Sequence, residues 1–160
     1  LYLTGSTSGS LTAMFASTEF LGDIDMSVTT EWIEGADNNA YGILFRRDTG
    51  GQYGYGIAAN GAYILSEWDE AFETPTEIIE WTFHTSINTN GTNVLRVVTQ
   101  GALITLYVNS HLLAQVDDSS LDGAFMGLYV GALQEVAFDD LIVTELEEIQ
   151  GEPLLKATQD

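Results

Sequence analysis

The chain has 160 residues, 45% of them hydrophobic, with a formal net charge of −20 and no cysteine. That length suits one domain whose core needs no disulfide or metal staple, and the apolar fraction excludes an acidic disordered tail. The charge repels phosphate backbones and anionic lipid, which excludes nucleic acid as an expected partner, and no stretch reaches membrane-spanning length, so no membrane insertion is expected.

Residues 1–10 contain the run TGSTSGS and read as a flexible segment or a short strand over 1–4. From 11 to 144, runs rich in Val, Ile, Thr and aromatics alternate with Gly, Asn and Asp. This pattern predicts strands near 11–16, 24–33, 41–47, 53–59, 62–68, 78–83, 94–99, 103–108, 111–116, 125–130 and 135–144. Helix signals are almost absent and no internal repeat appears. The expected fold is all-β, a sandwich or a barrel. Residues 145–160 read as an acidic C-terminal tail. The chain opens on Leu1 with no legible signal peptide, which reads as a processed product or a piece of a longer protein.

Two hairpins predict register. Asn60-Gly61 is a two-residue type I′ signal. Pairing across it puts Tyr53, Tyr55 and Ile57 on one face with Ile64, Ser66 and Trp68, and Gly54, Gly56, Tyr63, Leu65 and Glu67 on the other. Asn109-Ser110 turns the second hairpin in the same way. Its faces are Leu103, Tyr107, Leu112 and Val116 against Ile104, Leu106, Val108 and Leu113, both apolar, which predicts a central hairpin covered on both sides. The last strand holds a phase break. Val136 and Phe138 are even, Leu141 and Val143 odd, and one extra residue at Asp139-Asp140 restores both sets to the core. Such a bulge aims side chains, making Asp139 and Asp140 the candidate ligands for a cation, with Ca²⁺ suited to their oxygens.

The stretches YGILFRRD, GYGIAANGAYILSEW, the run from Asn93 to Val116, MGLYVGA and VAFDDLIV occur in an order that resembles the concanavalin A-like, laminin-G-like jelly roll. The nearest branch is the group related to the 3-keto-disaccharide hydrolases (domain of unknown function 1080). The resemblance spans roughly residues 11 to 144 and implies an all-β, two-sheet antiparallel β-sandwich, its sheets packed face to face and one of them concave, in a superfamily of glycan binders and surface modules with some enzymes. Two departures stand out. The family's first strand and its Trp-containing segment have no counterpart, and Asp140 stands where the family's Phe-Asp-Asn motif has its last residue.

No catalytic constellation survives inspection. Glu67-Trp68-Asp69-Glu70-Ala71-Phe72 approaches the Glu-x-Asp-x-x-Glu of laminarinase-like members, but Phe72 occupies the final position. Asp118, Ser120, Asp122 and Gly123 have EF-hand-loop spacing, yet the bidentate position falls on Tyr129. His84 and His111 have no carboxylate at ligand spacing. Arg46, Arg47 and Arg96 are expected to pair with carboxylates within the sheets, with sugar recognition as the functional alternative. The sequon Asn90-Gly91-Thr92 lies in a predicted turn and is a glycosylation candidate after export.

Trp32, Tyr53, Tyr55, Tyr63, Trp68, Trp81 and Tyr129 mostly fall on strands, where sugar C–H faces stack on aromatic rings. Trp32, Tyr53, Tyr55, Tyr63, Trp68 and Arg46 form the candidate glycan set. A second set concerns assembly: Leu1, Tyr2 and Leu3, or Ile149, Leu154 and Leu155 of the tail, docking onto a neighbouring copy at an open sheet edge. The leading expectation is a non-catalytic extracellular or cell-surface module acting by self-assembly or adhesion, with a filament or surface-layer subunit as one form. Its partners are copies of itself or another surface protein. The alternative is a carbohydrate-binding module with glycan as partner, and a glycosidase-like enzyme ranks last.

Overall fold

The structure is a computed structural model and describes residues 1–5, 11–73 and 75–147. Among them lie twelve strands and no helix. In chain order the strands are β1 (Tyr2–Thr4), β2 (Thr12–Phe15), β3 (Asp23–Gly35), β4 (Tyr41–Asp48), β5 (Gly51–Ile57) and β6 (Ala62–Trp68). They continue as β7 (Pro75–Phe83), β8 (Thr92–Gln100), β9 (Leu103–Val108), β10 (His111–Asp117), β11 (Phe125–Val130) and β12 (Gln134–Leu146). They form two six-stranded sheets, ordered β1-β12-β3-β8-β9-β10 and β2-β11-β4-β5-β6-β7. Every pairing is antiparallel, so the fold is an all-β sandwich of two antiparallel sheets, the jelly-roll arrangement that the resemblance implies.

Period-two alternation builds the core. Ile24, Met26 and Val28 of β3 and Leu95 and Val97 of β8 point inward from the first sheet. Tyr41, Ile43 and Phe45 of β4, with Tyr53, Tyr55 and Ile57 of β5, meet them from the second. The two buried tyrosines of β5 keep their polar ends satisfied. Tyr55 donates to the Tyr107 carbonyl at 2.8 Å, and Tyr53 donates to Asp118.

The β5–β6 hairpin corrects the predicted register. Ala58 pairs with Ala62 (N to O 2.9 Å), and the Gly61 amide donates to the Ala58 carbonyl at 3.0 Å. Gly61 has φ +99. The loop is therefore three residues, Ala59-Asn60-Gly61, with glycine in the left-handed position, rather than a two-residue Asn-Gly turn. One added loop residue shifts the register by one and exchanges faces. Tyr53, Tyr55 and Ile57 pair with Glu67, Leu65 and Tyr63 toward the core, while Gly54 and Gly56 pair with Ser66 and Ile64 on the outer face.

The β9–β10 hairpin does turn on two residues, with Asn109 at φ 49 and Ser110 at φ 68. Its predicted central place is corrected, because β10 is an edge strand. A bulge between Leu112 and Ala114 brings Val116 opposite Ile104 on the inner face, and Leu112 is left 54% exposed. One face of the ribbon is covered, not two.

The bulge at Asp139-Asp140 is present as a register shift between Asp139 and Ile142, with Asp140 at φ 51. It returns Val143 to a position opposite Met26, but Leu141 stays 46% exposed. The segment predicted to dock on another copy lies on its own chain. Tyr2, Leu3 and Thr4 pair with Ala137, Val136 and Glu135, and the Leu1 amino group donates to the Phe138 carbonyl at 3.1 Å. Ile149, Leu154 and Leu155 lie outside the described residues.

Candidate functional site

The corrected register creates a shallow site on the outer face of the second sheet. Tyr129 of β11 is aligned with Gly42 of β4, Gly42 with Gly56 of β5, and Gly56 with Ile64 of β6. The phenol reaches across a ladder position with no side chain and ends over Gly56. A Cβ at Gly56 would collide with the Tyr129 hydroxyl and approach the Ala40 Cβ to 3.0 Å. At Gly54 a Cβ would come within 3.3 Å of the Trp68 Nε1. Two glycines thus let one tyrosine and one tryptophan approach the strand backbone closely.

Above this floor is a cleft of about 530 Å³. Trp68, at the end of β6, and Trp81, on β7 and 41% exposed, both line it. Asn38 and Asn39 enter from the β3–β4 connection, Glu77 from β7, and Leu11 and Leu133 complete the lining with small neighbours. Ser66 and Tyr129 lie at the bottom, only 3% and 2% exposed.

Neither of these two hydroxyls has a hydrogen-bond partner among the described residues, although both belong to nearly buried side chains. Both residues line the cleft. Burial raises the Tyr129 phenol above its ordinary range, so it stays protonated and able to donate at every working pH. Asn39 is fixed by donating to the Ala132 carbonyl at 2.7 Å.

The Trp68 side is braced by neighbouring rings. Trp68 and Phe72 lie 6.1 Å apart, Phe72 and Phe15 6.2 Å apart, and the Arg47 guanidinium sits 4.2 Å above Phe15. Arg47 also donates to Gln52, whose amide donates to the Asp69 carbonyl at 2.7 Å. Phe72 has φ 59, and its backbone N–H donates a hydrogen bond to the Asp69 carbonyl at 3.0 Å.

Of the six predicted glycan residues, only Trp68 lines this cleft. Tyr53, Tyr55 and Tyr63 are in the core, 0%, 0% and 5% exposed, which corrects their assignment to a sugar platform. The hairpin register explains this for Tyr53 and Tyr55, and Tyr63 accompanies them inward. Arg46 is 7% exposed and spans the sandwich, donating to the Gly101 carbonyl at 2.7 Å and to Asp23 at 3.3 Å. Trp32 is half-buried, donates to the Ala36 carbonyl at 3.2 Å and lines a separate cleft of about 210 Å³ with Tyr41, Asn88 and Asn90. Asn38, Asn39, Ser66 and Glu77 carry no sequence signal of their own. The legible clue to them was the Gly-x-Gly of β5, which marks a face where other side chains lie against backbone.

The remaining candidates are placed as follows. Asp139 and Asp140 are exposed on the bulge, and no group of three or more His, Asp or Glu side chains suited to a metal occurs among the described residues. Asn90 is exposed in the β7–β8 turn. His84 packs edge-on to Tyr63 and accepts from the Ser86 amide at 3.1 Å, and His111 is exposed at the hairpin tip. Glu67 accepts a hydrogen bond from Ser120, which also contacts Asp118, so it fastens a loop.

No family model matches the chain, and no curated protein matches it by sequence. Solved structures do match in fold. The carbohydrate binding module CBM66 from Bacillus subtilis superposes with a TM-score of 0.69 at 16% identity, covering 89% of this chain and 94% of its own. Sheep galectin-11 matches with a TM-score of 0.59 at 6% identity, covering 85% and 97%. A structure described with endo-acting O-glycanases expressed by human gut microbiota matches with a TM-score of 0.62 at 10% identity, covering 91% and 79%. At these identities the likeness is one of fold alone, a β-sandwich of two antiparallel sheets.

Proposed function

We propose that the protein is a non-catalytic carbohydrate-binding module whose ligand lies in the cleft between Trp68 and Trp81. The observation that carries this reading is a cleft lined by the Trp68 and Trp81 indoles together with Ser66 and Tyr129, whose hydroxyls have no hydrogen-bond partner among the described residues. A sugar ring presents apolar C–H faces to stack on indoles and hydroxyls to exchange hydrogen bonds, the complement of that arrangement. The fold neighbours support the reading, since two of them are described as a carbohydrate binding module and a galectin.

Binding rather than hydrolysis is favoured by the lining. Glycoside hydrolysis needs a pair of carboxylates flanking the scissile bond, and Glu77 is the single carboxylate among the described lining residues. Self-assembly through Leu1, Tyr2 and Leu3 loses its motive, because that segment already pairs with β12 of its own chain. We place such a module outside the cell or on its surface, where polymeric glycans are met. Among the described residues no helix is long and apolar enough to cross a membrane.

The test is a glycan array followed by calorimetric titration of the best ligand. Trp68→Ala and Trp81→Ala are each expected to weaken binding by about tenfold or more, the loss of an aromatic contact of order 1.5 kcal/mol. Folding, followed by circular dichroism, should persist. Binding that is indifferent to both substitutions would defeat the proposal.

A further inference from the structure

The ionic character of the cleft sets the class of sugar it takes, an inference that rests on the binding-module reading. Glu77 is the one charged residue among the described lining. Among the described residues each arginine is engaged elsewhere. Arg46 is engaged with Asp23 and Gly101, Arg96 is paired bidentately with Asp25 at 2.8 and 2.9 Å, and Arg47 is stacked on Phe15 and donates to Gln52. Sites that recognise carboxylate or sulfate sugars supply a guanidinium or ammonium to offset the desolvated anion. Here a bound anionic sugar would instead meet a carboxylate within the cleft and the field of a chain carrying −20.

We propose that the cleft selects uncharged glycans against acidic ones, with Glu77 as the selecting residue. Its carboxylate accepts hydrogen bonds from sugar hydroxyls, while the Ser66 and Tyr129 hydroxyls supply groups that donate as well as accept. A neutral polyol satisfies all three. A uronate or sulfate satisfies the two hydroxyls and is repelled by the carboxylate. Two unit charges about 5 Å apart in water cost about 0.8 kcal/mol, roughly a fourfold loss in affinity before the wider field adds to it.

The experiment titrates the described protein with dextran, barley β-glucan, xyloglucan and galactomannan. Each neutral polymer is paired with its carboxymethyl derivative and with its hydroxyethyl derivative, which has similar bulk and no charge. At least one neutral polymer should bind and keep its affinity when hydroxyethylated. Its carboxymethyl form should bind at least about fivefold more weakly at low salt, and the gap should narrow at about 0.5 M salt. Glu77→Gln should narrow the gap and Glu77→Lys should reverse it. Equal or tighter binding of the carboxymethyl form, or a ratio unmoved by both Glu77 variants, would overturn the charge selection and leave the binding-module reading standing. If no polymer of either kind binds, that reading itself fails, and the selection with it.

Discussion

Tyr129 shows how one side chain separates stability from binding. Its ring is buried over β5, but its hydroxyl makes no hydrogen bond to the described residues. Tyr129→Phe should therefore leave the melting temperature unchanged or slightly raised, while glycan affinity falls by about fivefold, the worth of a neutral hydrogen bond near 1 kcal/mol. Gly56→Ala makes the complementary case. A Cβ there meets the Tyr129 hydroxyl and Ala40, so the substitution should destabilise by about 1–3 kcal/mol and weaken binding, as read by denaturant unfolding and titration. Asp118 marks the acid limit of the fold. Burial pushes its carboxyl up, but hydrogen bonds from the Ser120 and Tyr53 hydroxyls and the Ser120 amide outweigh that and leave it lowered. A lowered carboxyl contributes stability above its unfolded value, near pH 4, and loses it as pH falls through the folded value. Wild type should thus lose more stability than Asp118→Asn on acidification below about pH 4, and parallel curves would contradict the assignment.

At the level of elements, strand positions were legible because Val, Ile, Thr and aromatic runs are bounded by turn residues throughout the chain. Faces were less so. Asn60-Gly61 satisfies both a two-residue turn and the end of a three-residue turn, and local chemistry does not choose between them. Burying Tyr53 and Tyr55 chooses the longer loop, and with it the cleft appears on the other side of β5. Val116 is a similar case, since a bulge after a well-read turn moved it to the inner face opposite Ile104. The Asp139-Asp140 bulge was readable because the apolar phase changes on either side of it. The β9–β10 turn offers a direct test. Ser110 holds φ 68 without glycine, so Ser110→Gly should stabilise by about 0.5–1 kcal/mol, a rise of roughly 2 °C. Asn109→Gly should do the opposite. Its side chain accepts from the Val94 amide at 2.8 Å and donates to Ser86 and Asn93 at 2.9 Å, bonds that glycine cannot make.

For the whole molecule, 24 carboxylates against four basic residues leave most surface charge uncompensated, and two ion pairs occur among the described residues. Their mutual repulsion opposes the compact state and is screened by salt, so the melting temperature should rise between about 20 mM and 500 mM NaCl. The same chain carries three tryptophans, and the fold distributes them unevenly. Trp68 and Trp81 line the cleft of the second sheet, and Trp32 lines a separate one with residues of the β3 and β7–β8 regions. Their indole N–H resonances in a ¹⁵N-labelled sample therefore form a built-in map of where a ligand sits. Titration with the best neutral glycan should shift the Trp68 and Trp81 indole signals in a saturable way and leave that of Trp32 in place. A shift of Trp32 alone, or binding that leaves all three unmoved, would contradict the location of the site.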